Sequence, residues 1–158
     1  MGTIQSSVNQ VLGTAGTAAA IAEHLSKERK EVAAANAADT EVIKRNEAAL
    51  RNDEYEAQQA ILAHAEGEGL TDEAIERLKN DPSYAQELRQ SVLKANRQSR
   101  LEQASQAYNE NPNKNNSKQL EYAYDALREL NSRIEATETL KFNIDNARAK
   151  IKARGGKF

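Results

Sequence analysis

The sequence predicts an all-α fold: an elongated bundle or hairpin of long amphipathic helices with coiled-coil-like packing. Three observations carry this. Glycine and proline, the strongest breakers of regular structure, are absent from Thr17 to Glu66, a run of 50 residues, and again from Ser83 to Asn111 and from Asn113 to Arg154. All three runs are rich in Ala, Glu, Lys, Arg, Gln and Leu, which are good helix formers. Large apolar residues are scarce: Leu, Ile, Val and Phe number 28 of 158, against 27 alanines. A formal net charge of −2 removes the usual companion of disorder, so the scarcity reads as a thin core rather than an unfolded chain. Seven glycines and few β-branched residues argue against an all-β fold. The absence of Cys excludes a disulfide scaffold, a cysteine zinc site and a thiol enzyme, and two prolines exclude a Pro-rich chain.

The chain divides into an uncharged Gly/Ala-rich helical segment (1–22), a helical region (23–154) and a flexible tail (155–158). In the first segment Ile4, Val8, Val11, Ala15, Ala18, Ala22 and Leu25 recur at steps of three and four, a stripe expected to pack between copies. Its small side chains allow close helix approach. Gln5, Ser6, Ser7, Asn9 and Gln10 interrupt the apolar residues, so neither a secretory signal nor a transmembrane helix is predicted. Met1-Gly2-Thr3-Ile4-Gln5-Ser6 fits the short myristoylation pattern, but an ordinary small-residue terminus is the reading adopted.

From Val32 to Ala65 apolar residues are scattered, with Asp39, Asn46 and Asp53 between them, and little burial is expected there. Breaks are expected near 67–70, 80–82 and 109–117. Gly67 and Gly69 suit the left-handed conformation that closes a helix, Thr71 suits an N-cap, and Asp72 and Glu73 favour the positive helix end. Leu70 and Ile75 stand at hydrophobic-staple spacing. Asp81-Pro82 marks another helix start, and Asn109 to Asn116 reads as a polar loop with Asn116 or Ser117 capping the last helix. That helix has the clearest seam, through Leu120, Ala123, Leu127, Leu130, Ile134, Thr137, Leu140, Ile144, Ala147 and Ile151, with one irregular three-three step at Thr137. Gly155-Gly156 ends it, and Phe158 beyond is a candidate anchor for a neighbouring pocket.

Residue chemistry points away from catalysis. His24 and His64 form no local metal motif, and Glu28 four residues after His24 reads as a surface pair. Asn109, Asn111 and Asn113 lack the glycine and glutamate of a calcium loop. No phosphate-binding glycine loop or nucleophile motif is present, and 4% aromatic residues offer little to wall a substrate pocket. No catalytic residue, cofactor or metal is assigned. Charge is more informative. Asp39 to Glu76 holds 11 acidic and 3 basic residues, whereas Lys141 to Phe158 holds 6 basic residues and one acidic. Arg148, Lys150, Lys152, Arg154 and Lys157 are the candidate contact to DNA phosphate or to an acidic partner. Cations also suit the negative end of a helix, which explains part of the cluster without any ligand.

The uncharged Gly2 to Ala22 segment leading into a long Ala/Glu/Asn/Gln/Lys helix resembles small helical virion proteins of bacteriophages, in particular internal core or DNA-ejection proteins of short-tailed phages. The likeness covers residues 2–66 and is one of style, so no functional residue is carried over. It implies a many-copy structural protein of the particle, homo-oligomeric, near the portal or tail and beside other virion proteins. A nucleic-acid-binding helical protein using the basic tail, or a portal or tail adaptor or scaffolding protein, is the alternative. Membrane contact by residues 1–22 is less favoured than packing, because the Lys/Arg flank and large apolar face of a surface-binding helix are missing.

Overall fold

The computed structural model describes residues 15–157, with side chains described from residue 17. Among these residues the fold is all-α. Helix α1 runs Ala15–Ala63, α2 Asp72–Asn80, α3 Tyr84–Leu88, α4 Lys94–Glu110 and α5 Lys114–Ala153; a π-helical turn, Arg89–Leu93, joins α3 to α4. The chain forms two compact units: Met1–Ile43 with Asp145–Phe158, and Lys44–Ile144.

The 49 residues of α1 follow from a run without Gly or Pro. It closes through a turn in which Gly69 adopts φ +69°, the Gly69 N–H donates to Glu66 O at 3.1 Å, and the Leu70 N–H donates to Ala65 O at 3.2 Å. That pair of bonds is the Schellman arrangement, which satisfies carbonyls left over at a helix end. Of the two glycines expected to turn left-handed only Gly69 does so; Gly67 keeps an ordinary conformation, because one αL residue suffices for this closure. Thr71 then caps α2, its Oγ1 accepting from the Ala74 N–H at 3.1 Å. Asp81 Oδ1 accepts from the Ser83 N–H at 3.1 Å and from its hydroxyl at 2.6 Å, fixing the turn at Pro82.

The last helix starts earlier than expected. Asn113, not Asn116 or Ser117, is the cap: its Oδ1 accepts from the Asn116 N–H at 2.8 Å. The Asn116 amide instead donates back to Ala107 O and Asn111 O, tying off α4, so the loop shrinks to residues 111–113. α5 ends in a second Schellman closure, with Gly155 at φ +86°, its N–H on Lys152 O, and the Gly156 N–H on Ile151 O, both at 3.0 Å.

The core of the Lys44–Ile144 unit joins Ala57 and Ile61 of α1, Leu78 of α2, Ala85 and Leu88 of α3, Leu93 of the π turn and Leu130 of α5. Burying one of these Leu or Ile side chains is worth about 1.5–3 kcal/mol. In the other unit Ile43, Ala147 and Ile151 are buried. The expectation that residues 32–65 bury little is therefore corrected: Ile43, Ala57, Gln58, Ile61 and Ala65 are all buried. The apolar residues there are few, but they share one face, and the polar residues between them find partners.

Candidate functional site

On α1, Ala18, Ala22, Leu25, Arg29, Val32, Asn36, Asp39, Ile43, Asn46, Leu50, Asp53 and Ala57 follow alternating steps of four and three, the spacing of a coiled-coil seam. Its middle and C-terminal parts are covered. In the Met1–Ile43/Asp145–Phe158 unit, Arg154 of the α5 C-terminus pairs with Asp39 and reaches Asn36 Oδ1 at 3.5 Å. In the Lys44–Ile144 unit, Asn143 donates to Asn46 Oδ1 at 3.1 Å, and Asp53 joins a buried network. The N-terminal part is not covered: Ala18 and Ala22 are exposed, Leu25 is 45% exposed and Val32 39%. Of the other predicted packing positions, Ile4, Val8 and Val11 lie outside the described residues, as does Phe158, and Ala15 opens α1. Leu130, Ile144 and Ile151 are buried within the chain itself, whereas Leu120, Leu127 and Ile134 are half-buried.

The basic residues gather around the end of α5. Lys150 and Lys152 occupy its last turn, where cations oppose the negative helix end. Arg148, Lys150, Lys152 and Lys157 are exposed, while Arg154 is held by Asp39. His24 and Glu28 form a surface pair at 3.2 Å. Among the described residues no group of three or more His, Asp or Glu side chains is placed to hold a metal ion, and no helix is long and apolar enough to cross a membrane.

The most constrained polar cluster surrounds Arg89, only 4% exposed, at the first position of the π turn. Its Nη1 donates to Asp53 Oδ2 at 2.9 Å and to Thr137 Oγ1 at 3.3 Å; Nη2 donates to Asp53 Oδ1 at 3.0 Å. The Thr137 hydroxyl donates to Asp53 Oδ2 at 2.7 Å. Burial alone raises the Asp53 pKa, but hydrogen bonds from Arg89 and Thr137 and the charges of Arg89 and Arg133 outweigh it, leaving the carboxyl below its ordinary value. A second cluster fixes the turn after α1. Glu68 accepts from Arg97 Nη1 at 2.7 Å and from Asn96 Nδ2 at 3.0 Å, and these bonds, with the charges of Arg97 and Arg100, overcome burial to lower its pKa too. A third link, from Gln58 Nε2 to Leu78 O at 2.8 Å, caps the C-terminus of α2.

Arg89, Asp53 and Glu68 were not singled out by sequence reasoning. Their signal was present in part: Asp39, Asn46 and Asp53 recur every seven residues on the α1 seam, and the irregular step at Thr137 marks the polar layer facing Asp53. Nothing in the sequence distinguishes Arg89 from other arginines, because its burial depends on the π turn.

Beside this network lies a cavity of about 260 Å³, lined by the aliphatic residues Ala57, Ala60, Ile61, Leu93, Ala126 and Leu130. Arg89, Arg97, Arg133 and Glu129 complete its lining. The chain matches no protein-family model, and no curated protein and no solved structure is significantly similar to it.

Proposed function

We propose that this chain is a non-enzymatic structural protein that works in several copies, an internal or ejection component of a bacteriophage particle near its portal or tail. One observation carries the assembly reading: the seam of α1 continues from Asn36 back to Ala18 at unbroken coiled-coil spacing, with Leu25 and Val32 left open to solvent. A seam completed for part of its length and exposed for the rest is completed by a second copy offering the same face. The placement in a phage particle is supported by the resemblance of residues 2–66; an adaptor or scaffolding role of the same assembly class is the alternative.

The nucleic-acid reading draws less support. Arg154 is engaged by Asp39, and Lys150 and Lys152 already suit the helix end. Sedimentation of the intact protein at micromolar concentration is expected to show a multimer, and Leu25→Asp with Val32→Asp to shift it to monomer. A monomeric parent protein, or a multimer indifferent to both substitutions, would overturn the reading.

A further inference from the structure

We propose that the cavity between α1, the π turn with the start of α4, and α5 binds a small organic anion with an apolar body, such as an aromatic monocarboxylate. It involves none of the exposed α1 seam and stands independently of the assembly reading.

Size and lining define the apolar part of the ligand. A volume of about 260 Å³ suits a bicyclic aromatic body rather than a single ion, and most of the lining residues are aliphatic. Three alanines, Ala57, Ala60 and Ala126, leave this space open; a larger aliphatic residue at any of them would occupy it.

Charge defines the head group. Three arginines line the cavity against a single acidic residue, Glu129. Two of them are held by carboxylates that do not line it: Arg89 by Asp53, and Arg97 by Glu68, whose side chain is 6% exposed. A guanidinium carries five N–H donors, and Arg97 places only Nη1 on Glu68, so donors remain for a ligand. Arg133 is the adaptable member. Its ion pair with Glu129, 3.2 Å long, is exposed at both ends, and such pairs contribute little to stability. Arg133 therefore exchanges Glu129 for a bound carboxylate at small cost, Glu129 turning to water, and the guanidinium offers the planar two-point geometry that a carboxylate matches.

The test uses 2-naphthoate and its neutral counterpart 2-naphthalenemethanol, titrated against the full chain. The chain has no Trp, so naphthalene emission is read without indole background. Naphthoate is expected to bind about tenfold or more tightly than the alcohol, the ratio set by charge-assisted hydrogen bonds. Arg133→Gln should cut that ratio severalfold while leaving alcohol binding unchanged. Ala126→Leu should abolish binding of both, with circular dichroism reporting whether the helices persist; Ala60→Leu, at an exposed position of α1, fills the same space if the first variant fails to fold. No naphthoate binding, equal binding of acid and alcohol, or binding that survives the filled cavity would each refute the proposal.

Discussion

At the scale of single residues, the Arg89–Asp53–Thr137 network is where this small core is most exposed to damage. Arg89 is almost wholly buried, and its charge is matched by one carboxylate with two parallel hydrogen bonds. Removing that carboxylate strands a buried cation, so Asp53→Ala is expected to cost about 3–5 kcal/mol in urea unfolding. The same groups set the acid response. The pKa values of Asp53 and Glu68 are lowered by folding, so their contribution is present above the ordinary carboxylate range and is lost as pH falls through the folded values. Glu54 works in the opposite sense: burial, then the charge of Asp81, raises its pKa, so protonating it as pH falls favours the folded state. With two groups against one, the urea midpoint is expected to fall below about pH 4, and Asp53→Asn to flatten that fall.

At the scale of elements, helix ends are fixed by a few bonds that substitutions can separate. Gly69 has φ +69° and open space where a Cβ would go, so Gly69→Ala meets only backbone strain, about 1–2 kcal/mol. Gly67, two residues earlier, has no such conformation, and an added Cβ would sit in ordinary contact, 3.5 Å from His64 O. Gly67→Ala is therefore expected to be neutral or stabilising by about 0.4–1 kcal/mol. In thermal melts Gly69→Ala is expected to lower Tm and Gly67→Ala to leave it unchanged or raise it, if the Schellman closure at Gly69 ends α1 as described. The π turn is the other element-scale feature. It places Arg89 and Leu93 on the core within a helix that otherwise continues from Tyr84 to Glu110, and Leu93 both joins the core and lines the cavity.

At the scale of the whole molecule, the scarcity of large apolar side chains has two answers. Part of the seam is completed within the chain, in one unit by Arg154 on Asp39 and in the other by Asn143 on Asn46 and Thr137 on Asp53. The rest, Ala18 to Val32, stays open. If copies complete it, folding and association are linked, and Tm should rise with protein concentration. Leu25→Asp with Val32→Asp should remove that dependence without touching the Leu78-centred core, which lies in the other unit.

Helix content and the principal breaks were legible in the sequence because they rest on local chemistry: long runs without Gly or Pro, Thr71 before Asp72-Glu73, Gly155 after Ala153. The cap at Asn113 was misplaced by three or four residues because several Asn and Ser residues in that stretch suit the position, and only the backbone path selects one. The burial of α1 was missed for a deeper reason. Asp39, Asn46 and Asp53 look like solvent-facing residues until Arg154, Asn143 and the Arg89–Thr137 pair are seen opposite them, partners 97 residues apart in the case of Asn46 and Asn143. The sequence alone determined that this protein is helical, thin-cored and striped, since periodicity and propensity act along the chain. Only the tertiary structure decided which stripe positions close within one chain, which polar residues are buried, and that a π turn sets Arg89 against Asp53 beside an arginine-lined cavity, because pairing and burial depend on residues that the chain's path, not its order, makes neighbours.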